Sequence, residues 1–307
     1  MLLVITLAKD DNMQDVMRWV KKPFIRFNWD ENPLYPMSYE WDGSKLRYAI
    51  NGVDAKEITS VWYRIAYLNY KEPPNEPYYL LNRKSREEMI TPLFGLLETA
   101  FWVSNPFAMQ RAENKVLQME EAIGLGMCVP RTMVTSSPEE AASFREQVGE
   151  MVVKPLAHQI VRLDGKIHAF FTSRVRPGTP IDFSLLGSSP AIFQEEIQRV
   201  CDIRTIVVGD KAFSMEIHQV RSKKGDVDYR MGMDRDLEFK AHYLPTDLEQ
   251  ASIKLVKKLG LKYGAMDFLL GVDGNYYFLE NNPAGAWKFV ENYAGHSISQ
   301  AMGKLLS

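Results

Sequence analysis

The sequence predicts a mixed α/β and α+β chain: an open α/β domain first, then a small central unit, then a hairpin-rich α+β domain. Three observations predict it. Leu2 to Leu7 is an apolar run interrupted only by Thr6, the pattern of a strand buried on both faces of a mainly parallel sheet. Strand-like and helix-like segments alternate through the first hundred or so residues, as they do in open α/β domains. From Met151 onward, Gly–Asp pairs between apolar runs mark hairpins instead. Soft boundaries near 104 and 187 divide the chain into residues 1–104, 105–187 and 188–307.

Each element has a local reason. Asp15 to Val20 is predicted as a short helix that Pro23 interrupts, and Phe24-Ile25-Arg26-Phe27 alternates as a strand does. Ile58 to Tyr63 reads as another strand. Residues 70 to 80 carry three prolines and read as a surface loop, and a helix is predicted from about Ser85 to Trp102. Asn105-Pro106 opens the central unit with proline in the first helical turn. Helical spacing then runs from Met109 to Ile123, with Gly124 placed to cap it. Val129 to Val134 reads as a strand and Ser136-Ser137-Pro138-Glu139-Glu140 as a helix start. Met151 to Pro155 is extended, because a residue before proline avoids the α region. Leu163-Asp164-Gly165-Lys166, Val208-Gly209-Asp210-Lys211 and Val272-Asp273-Gly274-Asn275 read as hairpin turns. One more helix begins at Thr246-Asp247-Leu248-Glu249, a capping-box pattern, and stops near Gly260.

Composition narrows the function. With 37 Lys+Arg against 39 Asp+Glu, the net charge of −2 offers no basic field for nucleic acid. Hydrophobic residues at 46% exclude disorder for most of the chain. No apolar run approaches the roughly 18–20 residues that cross a bilayer. The start MLLVITLAKDDN lacks a basic segment and reads as a first core strand, not a signal peptide. Cys128 and Cys201 are too few for a disulfide framework or a zinc cluster, and the five histidines (His158, His168, His218, His242, His296) show no paired zinc spacing. A cytoplasmic protein is expected.

The stretch richest in chemistry is Gly264 to Gly285, GAMDFLLGVDGNYYFLENNPAG. With a two-residue turn at Asp273-Gly274, Val272 faces Asn275, Leu269 faces Phe278 and Asp267 faces Glu280. Asn282 shares the Glu280 face by strand alternation. Two opposed carboxylates destabilise a bare sheet. A dication reverses that sign, and three oxygen-bearing side chains suit Mg²⁺, which shares its shell with substrate phosphates. The alternative is a solvated polar end of an exposed hairpin, which fits one carboxylate better than a converging pair.

Other candidates are weaker by themselves. Lys154 ends a buried-looking strand, as a phosphate contact or as a lysine snorkelling out. Lys115 lies in an otherwise ordinary helix, and its local reading is a solvated face. Asp202 and Arg204 share a strand face, where a surface ion pair is the better local reading. Asp228-Tyr229-Arg230, with Arg221 and Lys223-Lys224, reads as a polar loop. Neither a Walker A loop, a GxGxxG loop nor a Ser/Cys triad motif is present.

Taken in order, these pieces resemble the ATP-grasp ligases over essentially the whole chain. The set is Lys115, Val152-Val153-Lys154-Pro155, Gln194-Glu195-Glu196-Ile197, Cys201-Asp202-Ile203-Arg204, Asp228-Tyr229-Arg230, Asp267 and Glu280-Asn281-Asn282-Pro283. Trp19-Val20, Phe24 to Asn28, Val61-Trp62-Tyr63-Arg64 and Asn282 to Trp287 are similar to the maturation ligases of graspetides, of the microviridin and grasp-with-spasm groups. Those enzymes make ω-ester or ω-amide links within a ribosomally made precursor peptide. The resemblance implies an ATP-grasp fold with ATP between the last two units, Mg²⁺, a leader-plus-core peptide partner and, as in many relatives, a homodimer. It implies that Lys115, Lys154 and Arg230 contact ATP phosphates, that Glu195, Glu196 and Ile197 form the adenine hinge, and that Asp202 reaches the ribose. Asp267, Glu280 and Asn282 would ligate Mg²⁺, and Arg204, with Arg230, would serve catalysis at the acyl phosphate or substrate carboxylate. The hairpin between Gln159 and Phe171, carrying His168 and Phe170, would dock the leader, with Arg64 and Asp228 also toward substrate. Three departures stand out. Arg64-Ile65-Ala66 replaces Arg-Arg-Gly, Tyr229 replaces a tryptophan, and the segment after Lys154 lacks phosphate-covering glycines. A ligase that adds amino acids to a protein tail or small metabolite would share the ATP site and differ in its acceptor groove.

Overall fold

A computed structural model describes residues 1–64, 78–156, 160–163, 166–169, 172–176, 178, 181–219 and 237–307. The first unit contains β1 (Leu2–Thr6), α1 (Asp11–Met17), β2 (Phe24–Asn28), β3 (Met37–Trp41), β4 (Leu46–Ile50), β5 (Val53–Asp54), β6 (Ser60–Tyr63), α2 (Tyr79–Leu96) and β7 (Phe101–Val103). Its parallel sheet runs β2-β1-β6-β7, and all five residues of β1 are buried, which accounts for the apolar run Leu2–Ile5. Helix α1 starts earlier than predicted because the Asp10 side chain caps it, accepting from the Met13 N–H at 3.2 Å. Helix α2 ends at Leu96, not near Trp102. Phe101-Trp102-Val103 instead adds a strand beside Ser60–Trp62, with the Trp102 indole donating to the Leu97 carbonyl at 2.7 Å. The β3-β4-β5 meander has no counterpart among the predicted elements. The proline-bearing loop falls largely on residues 65–77, outside the described residues.

The central stretch holds α3 (Pro106–Ala112), α4 (Lys115–Ile123), β8 (Thr132–Thr135), α5 (Pro138–Val148), β9 (Met151–Pro155), β10 (Ile160–Leu163), β11 (Lys166–Ala169), β12 (Ser173–Val175) and β13 (Ala191–Glu195). The single helix predicted to Ile123 is two, because Asn105 and Asn114 each cap a new start. Gly124 closes α4 in right-handed backbone, and the left-handed residue is Gly126. Ser137 caps α5 as predicted, accepting from the Glu140 N–H at 3.2 Å. The antiparallel sheet runs β12-β9-β13-β8, and β10-β11 form a separate ribbon.

The last stretch holds β14 (Arg199–Val208), β15 (Lys211–Gln219), β16 (Leu237–His242), α6 (Thr246–Lys258), β17 (Tyr263–Gly271), β18 (Tyr276–Asn282), α7 (Lys288–Ala294) and α8 (Ile298–Leu306). Its antiparallel sheet runs β16-β15-β14-β17-β18. The capping box at Thr246 is not formed: Thr246 is already helical, Pro245 precedes it, and no side chain caps the start. One sheet face packs Ile206, Met215 and Ala265 into a core shared with Leu2, Val4, Trp62 and Met302. The other packs Ile203, Val207 and Phe268 against Leu255 and Val256 of α6. The two ends of the chain are therefore welded together. Where α1 meets α8, a Cβ on Gly303 would lie 2.4 Å from the Trp19 Cβ, so only glycine allows that approach.

The β17–β18 hairpin differs from the prediction in an instructive way. Its loop has three residues, with Gly271 N–H bonding the Asn275 carbonyl at 2.8 Å and Gly274 left-handed at φ +82°. Leu269 consequently pairs Tyr277, and Phe268 pairs Phe278. The predicted Val272–Asn275 and Leu269–Phe278 pairs do not form. A register shift between Asp267 and Phe268 then leaves Leu279 as a bulge and restores Asp267 opposite Glu280.

Candidate active site

Beyond the bulge, β14, β17 and β18 bring Arg204, Asp267, Glu280 and Asn282 together. Arg204 Nη1 donates to both Asp267 carboxylate oxygens at 2.9 Å, and Nη2 donates to the Ala286 carbonyl at 3.2 Å. Glu280 pairs through Oε2 with the Lys115 ammonium, and the Asn282 amide approaches its Oε1 at 3.4 Å. Both opposed carboxylates thus face a cation, which removes the repulsion expected of a bare pair. Two carboxylates and an asparagine amide are the hard-oxygen donor set that Mg²⁺ takes while retaining waters, so these residues fit that ion.

Lys115 is not on a solvated face. It is the first residue of α4, and α4 is fastened onto β18 by a side chain that the sequence reading missed. Gln118, 2% exposed, donates from Nε2 to the Asn281 carbonyl and accepts from the Asn281 N–H at Oε1, both at 2.8 Å. Because residues three apart on a helix are neighbours, this anchor aims Lys115 at Glu280. The available signal was a lysine and a glutamine on the face of α4 that also buries Ala122. Gln118→Leu should destabilise the protein by about 2–4 kcal/mol, because it strands buried backbone groups, measured from denaturant midpoints.

Asp202 and Arg204 do not form a surface pair. Both are buried; Asp202 accepts from Arg199 Nε at 3.1 Å, whereas Arg204 binds Asp267. Lys154 Nζ donates to Gln194 Oε1 at 2.7 Å across the β9–β13 pair. Glu195 ends β13, and Glu196 and Ile197 lead on toward β14. The Glu195 N–H bonds the Arg131 carbonyl at 2.8 Å, and the Glu196 carboxylate accepts from Arg174 Nε at 2.6 Å. His168 lies in β11, paired with Val161. Phe170, Asp228 and Arg230 lie outside the described residues.

Next to the carboxylates is a cavity of about 230 Å³, lined by Trp62, Arg64, Tyr263, Gly285, Trp287 and Met302 among others. The Arg64 guanidinium sits 4.7 Å above the Trp62 ring, and its Nη2 donates to Asp10 Oδ1 at 2.8 Å. Tyr263 donates its hydroxyl to the Gly285 carbonyl at 2.6 Å, and burial drives that hydroxyl far above its ordinary range, so it stays a neutral donor. Burial raises the Asp10 carboxyl, but bonds from Arg64 and Thr6 outweigh burial and hold it below its ordinary 3.8. A lowered carboxyl stabilises the fold above its unfolded value and loses that contribution as pH falls through the folded one. Asp10→Asn should therefore flatten the acid limb of the stability profile below about pH 4, read from urea midpoints against pH.

The sequence model of the RimK-like ATP-grasp domain matches residues 112–306. The chain belongs to this family. Its ATP-grasp fold is also that of solved structures spanning nearly its whole length. The Chryseobacterium gregarium RiPP-associated ATP-grasp ligase, in complex with ADP and a leader and core peptide, is 27% identical with a TM-score of 0.87, covering 99% of this chain and 96% of that one. Macrocyclase MdnC of Microcystis aeruginosa MRC, bound with precursor peptide MdnA, is 26% identical with a TM-score of 0.81, over 100% and 99%. Macrocyclase MdnB of the same organism is 28% identical with a TM-score of 0.78, over 99% and 98%. A search of curated proteins found no match. The resemblance to ATP-grasp ligases is thus borne out in family and fold, and the N-terminal motifs pointed to the same branch. Among the described residues of this ATP-grasp ligase, no helix is long and apolar enough to cross a membrane.

Proposed function

We propose that this ATP-grasp ligase activates Asp or Glu side chains of a ribosomal precursor peptide as acyl phosphates and closes ω-ester or ω-amide rings within that peptide. The observation that carries this reading is Arg204. It joins the Asp267 carboxylate to the Ala286 carbonyl, and so joins the candidate metal residues to the loop that borders the 230 Å³ cavity. Support comes from two full-length neighbours solved with a core or precursor peptide, one of them also with ADP.

A carboxylate resists nucleophilic attack, because attack adds charge to an anion and would expel oxide. Transfer of the ATP γ-phosphoryl group to it gives an acyl phosphate and ADP. A Ser, Thr or Lys side chain of the peptide then attacks the acyl carbon, phosphate leaves, and the attacking group loses its proton. Asp267, Glu280 and Asn282 would hold Mg²⁺, which when bound supplies charge neutralisation at the phosphates. Lys115 and Lys154 would add positive charge there, Lys115 sharing or exchanging its Glu280 partner. Glu195, Glu196 and Ile197 would meet the adenine, with the Glu196 carboxylate kept on Arg174, and Asp202 would take the ribose. Arg204 would orient the substrate carboxylate and stabilise the oxyanion of the second step. Arg230 and Asp228 are assigned to phosphate and substrate by motif. Arg64 would meet the core peptide, and the β10–β11 ribbon with His168 and Phe170 would dock the leader. In this reading the chain forms three domains of a cytoplasmic enzyme that can pair as a homodimer, with boundaries near 104 and after β13 rather than at 187, because β13 pairs with β8 and β9 of the central sheet.

The test is intact-mass analysis after incubation with ATP, Mg²⁺ and the product of a short open reading frame beside the gene. The expected result is loss of one water per link, dependent on ATP and abolished in Glu280→Ala. Hydroxylamine then separates esters from amides. No mass change, with ATP hydrolysed when free amino acids are supplied, would overturn the reading in favour of a small-acceptor ligase.

A further inference from the structure

The face of the C-terminal sheet turned away from Arg204 and Asp267 carries a second group of ligand-bearing side chains. Ile203 pairs Glu216 and Asp202 pairs Ile217, so one step further Cys201 lies opposite His218. Strand alternation puts Cys201, Glu216 and His218 on one face, and Arg204 and Asp267 on the other. The thiol, a carboxylate oxygen and an imidazole nitrogen all lie within 4.8 Å of one another. His218 Nε2 is 2.7 Å from Glu216 Oε2. The second Glu216 oxygen is held by His242 Nδ1 at 2.8 Å, and His242 Nε2 is in turn 3.0 Å from the Tyr276 hydroxyl. Cys201 closes the group from the core side at 3% exposure, while Glu216 and His218 reach the surface.

We propose that Cys201, Glu216 and His218 form a binding site for a zinc-class divalent cation, distinct from the oxygen site around Asp267. The donor chemistry decides the class. A thiolate, an imidazole and a carboxylate suit a borderline-soft ion of tetrahedral preference and would be a poor cage for Mg²⁺. The geometry is close to what such an ion needs. Bond lengths of about 2.0–2.3 Å in a tetrahedron place ligand atoms about 3.4–3.6 Å apart. The nitrogen–oxygen pair, at 2.7 Å, need open by well under an ångström, and the sulfur, within 4.8 Å of both, need approach by about 1.3 Å at most. His242 and Tyr276 supply the outer contacts that orient a ligating carboxylate. In the metal-free chain, burial and the Glu216 and Asp202 charges push the Cys201 thiol up to about 11, so the ion replaces a proton there. Sequence spacing conceals this site, because its members come from two strands and only pairing register brings them opposite.

The test is titration of the chelator-stripped full chain with Co²⁺ in excess Mg²⁺, followed by absorption spectroscopy. One Co²⁺ per chain should bind and give a thiolate-to-cobalt charge-transfer band. That band should disappear in Cys201→Ser and persist in Cys128→Ser. His218→Gln should weaken binding by at least about 100-fold, and His242→Gln by about 10–100-fold with the band retained. Asp267→Asn should leave the band unchanged. Absence of a thiolate band, its survival in Cys201→Ser, or its loss in Asp267→Asn would overturn the proposal. Should Cys201→Ser fail to fold, wild-type affinity in His218→Gln would overturn it equally.

Discussion

Asp267→Asn is expected to lower ATP-dependent turnover by more than about 100-fold, because it removes charge where transition-state charge must be neutralised. It should also destabilise the protein, and the two effects have separate causes. Arg204 is 5% exposed and places both bonds of Nη1 on Asp267. Removing the negative charge leaves a buried guanidinium short of its counter-ion, a loss of about 3–5 kcal/mol when a partner is removed altogether. Asparagine keeps one acceptor, so the lower end applies. The double variant Asp267→Asn/Arg204→Met separates the effects. Replacing both members of a buried pair is often nearly neutral, so stability should largely return while activity does not. Denaturant midpoints alongside ATP turnover give both readings. An active Asp267→Asn enzyme would remove Asp267 from the metal site.

Gly285→Ala should be nearly as damaging, although it changes no charge. Its Cβ would lie 2.6 Å from the Ala265 Cβ, 2.6 Å from Arg204 Nη2 and 3.0 Å from the Asn282 Cβ. Ala265 is a mid-strand residue of β17 that cannot retreat, and the Arg204 guanidinium is tied to Asp267. The loop from Pro283 to Trp287 must therefore lift, drawing the Ala286 carbonyl from Arg204 and the Gly285 carbonyl from the Tyr263 hydroxyl. Overpacking of this kind costs about 1–3 kcal/mol in stability. The larger consequence is geometric, since small displacements of a positioning group cost about 100-fold in rate. Nucleotide affinity should fall less than kcat, because Lys115, Lys154 and Glu195 to Ile197 lie on other elements. A fall in kcat for the peptide with nucleotide binding retained is the expected pattern. Equal loss of both would mean that this loop serves the nucleotide and not the acyl acceptor.

Several site residues were legible because their chemistry is locally odd. Opposed Asp267 and Glu280 stood out as two carboxylates converging from the strands of one hairpin. Their pairing was nonetheless predicted through a two-residue turn, whereas the chain uses a three-residue loop and a compensating bulge at Leu279. The right pair came from two departures that cancel. Turn length and bulge position are set by packing of Phe268 and Phe278 in the core, not by the turn residues alone. Lys115 reads as solvent-facing for a related reason. A lysine in a helix advertises solvent unless one knows that Gln118 lashes the helix to Asn281.

Helix and strand boundaries failed where two local patterns compete. Phe101-Trp102-Val103 continues an apolar helical run as readily as it makes a strand, and the open edge of β6 decided for the strand. Asn114 could sit inside one long helix, but its side chain caps a second one. The kinds of parts and their order are legible in the residues alone. A mainly apolar strand forms the core of a parallel sheet, hairpins follow, and the ligands arrive in an order that identifies an ATP-grasp ligase. Which charges meet is set by the packing of distant segments. Lys115 finds Glu280 across 165 residues, Arg204 takes Asp267 and leaves Asp202 to Arg199, and Cys201 comes to lie opposite His218. Local composition sets what a residue can bond to. Strand register, fixed by buried side chains far from any charge, sets what lies within reach.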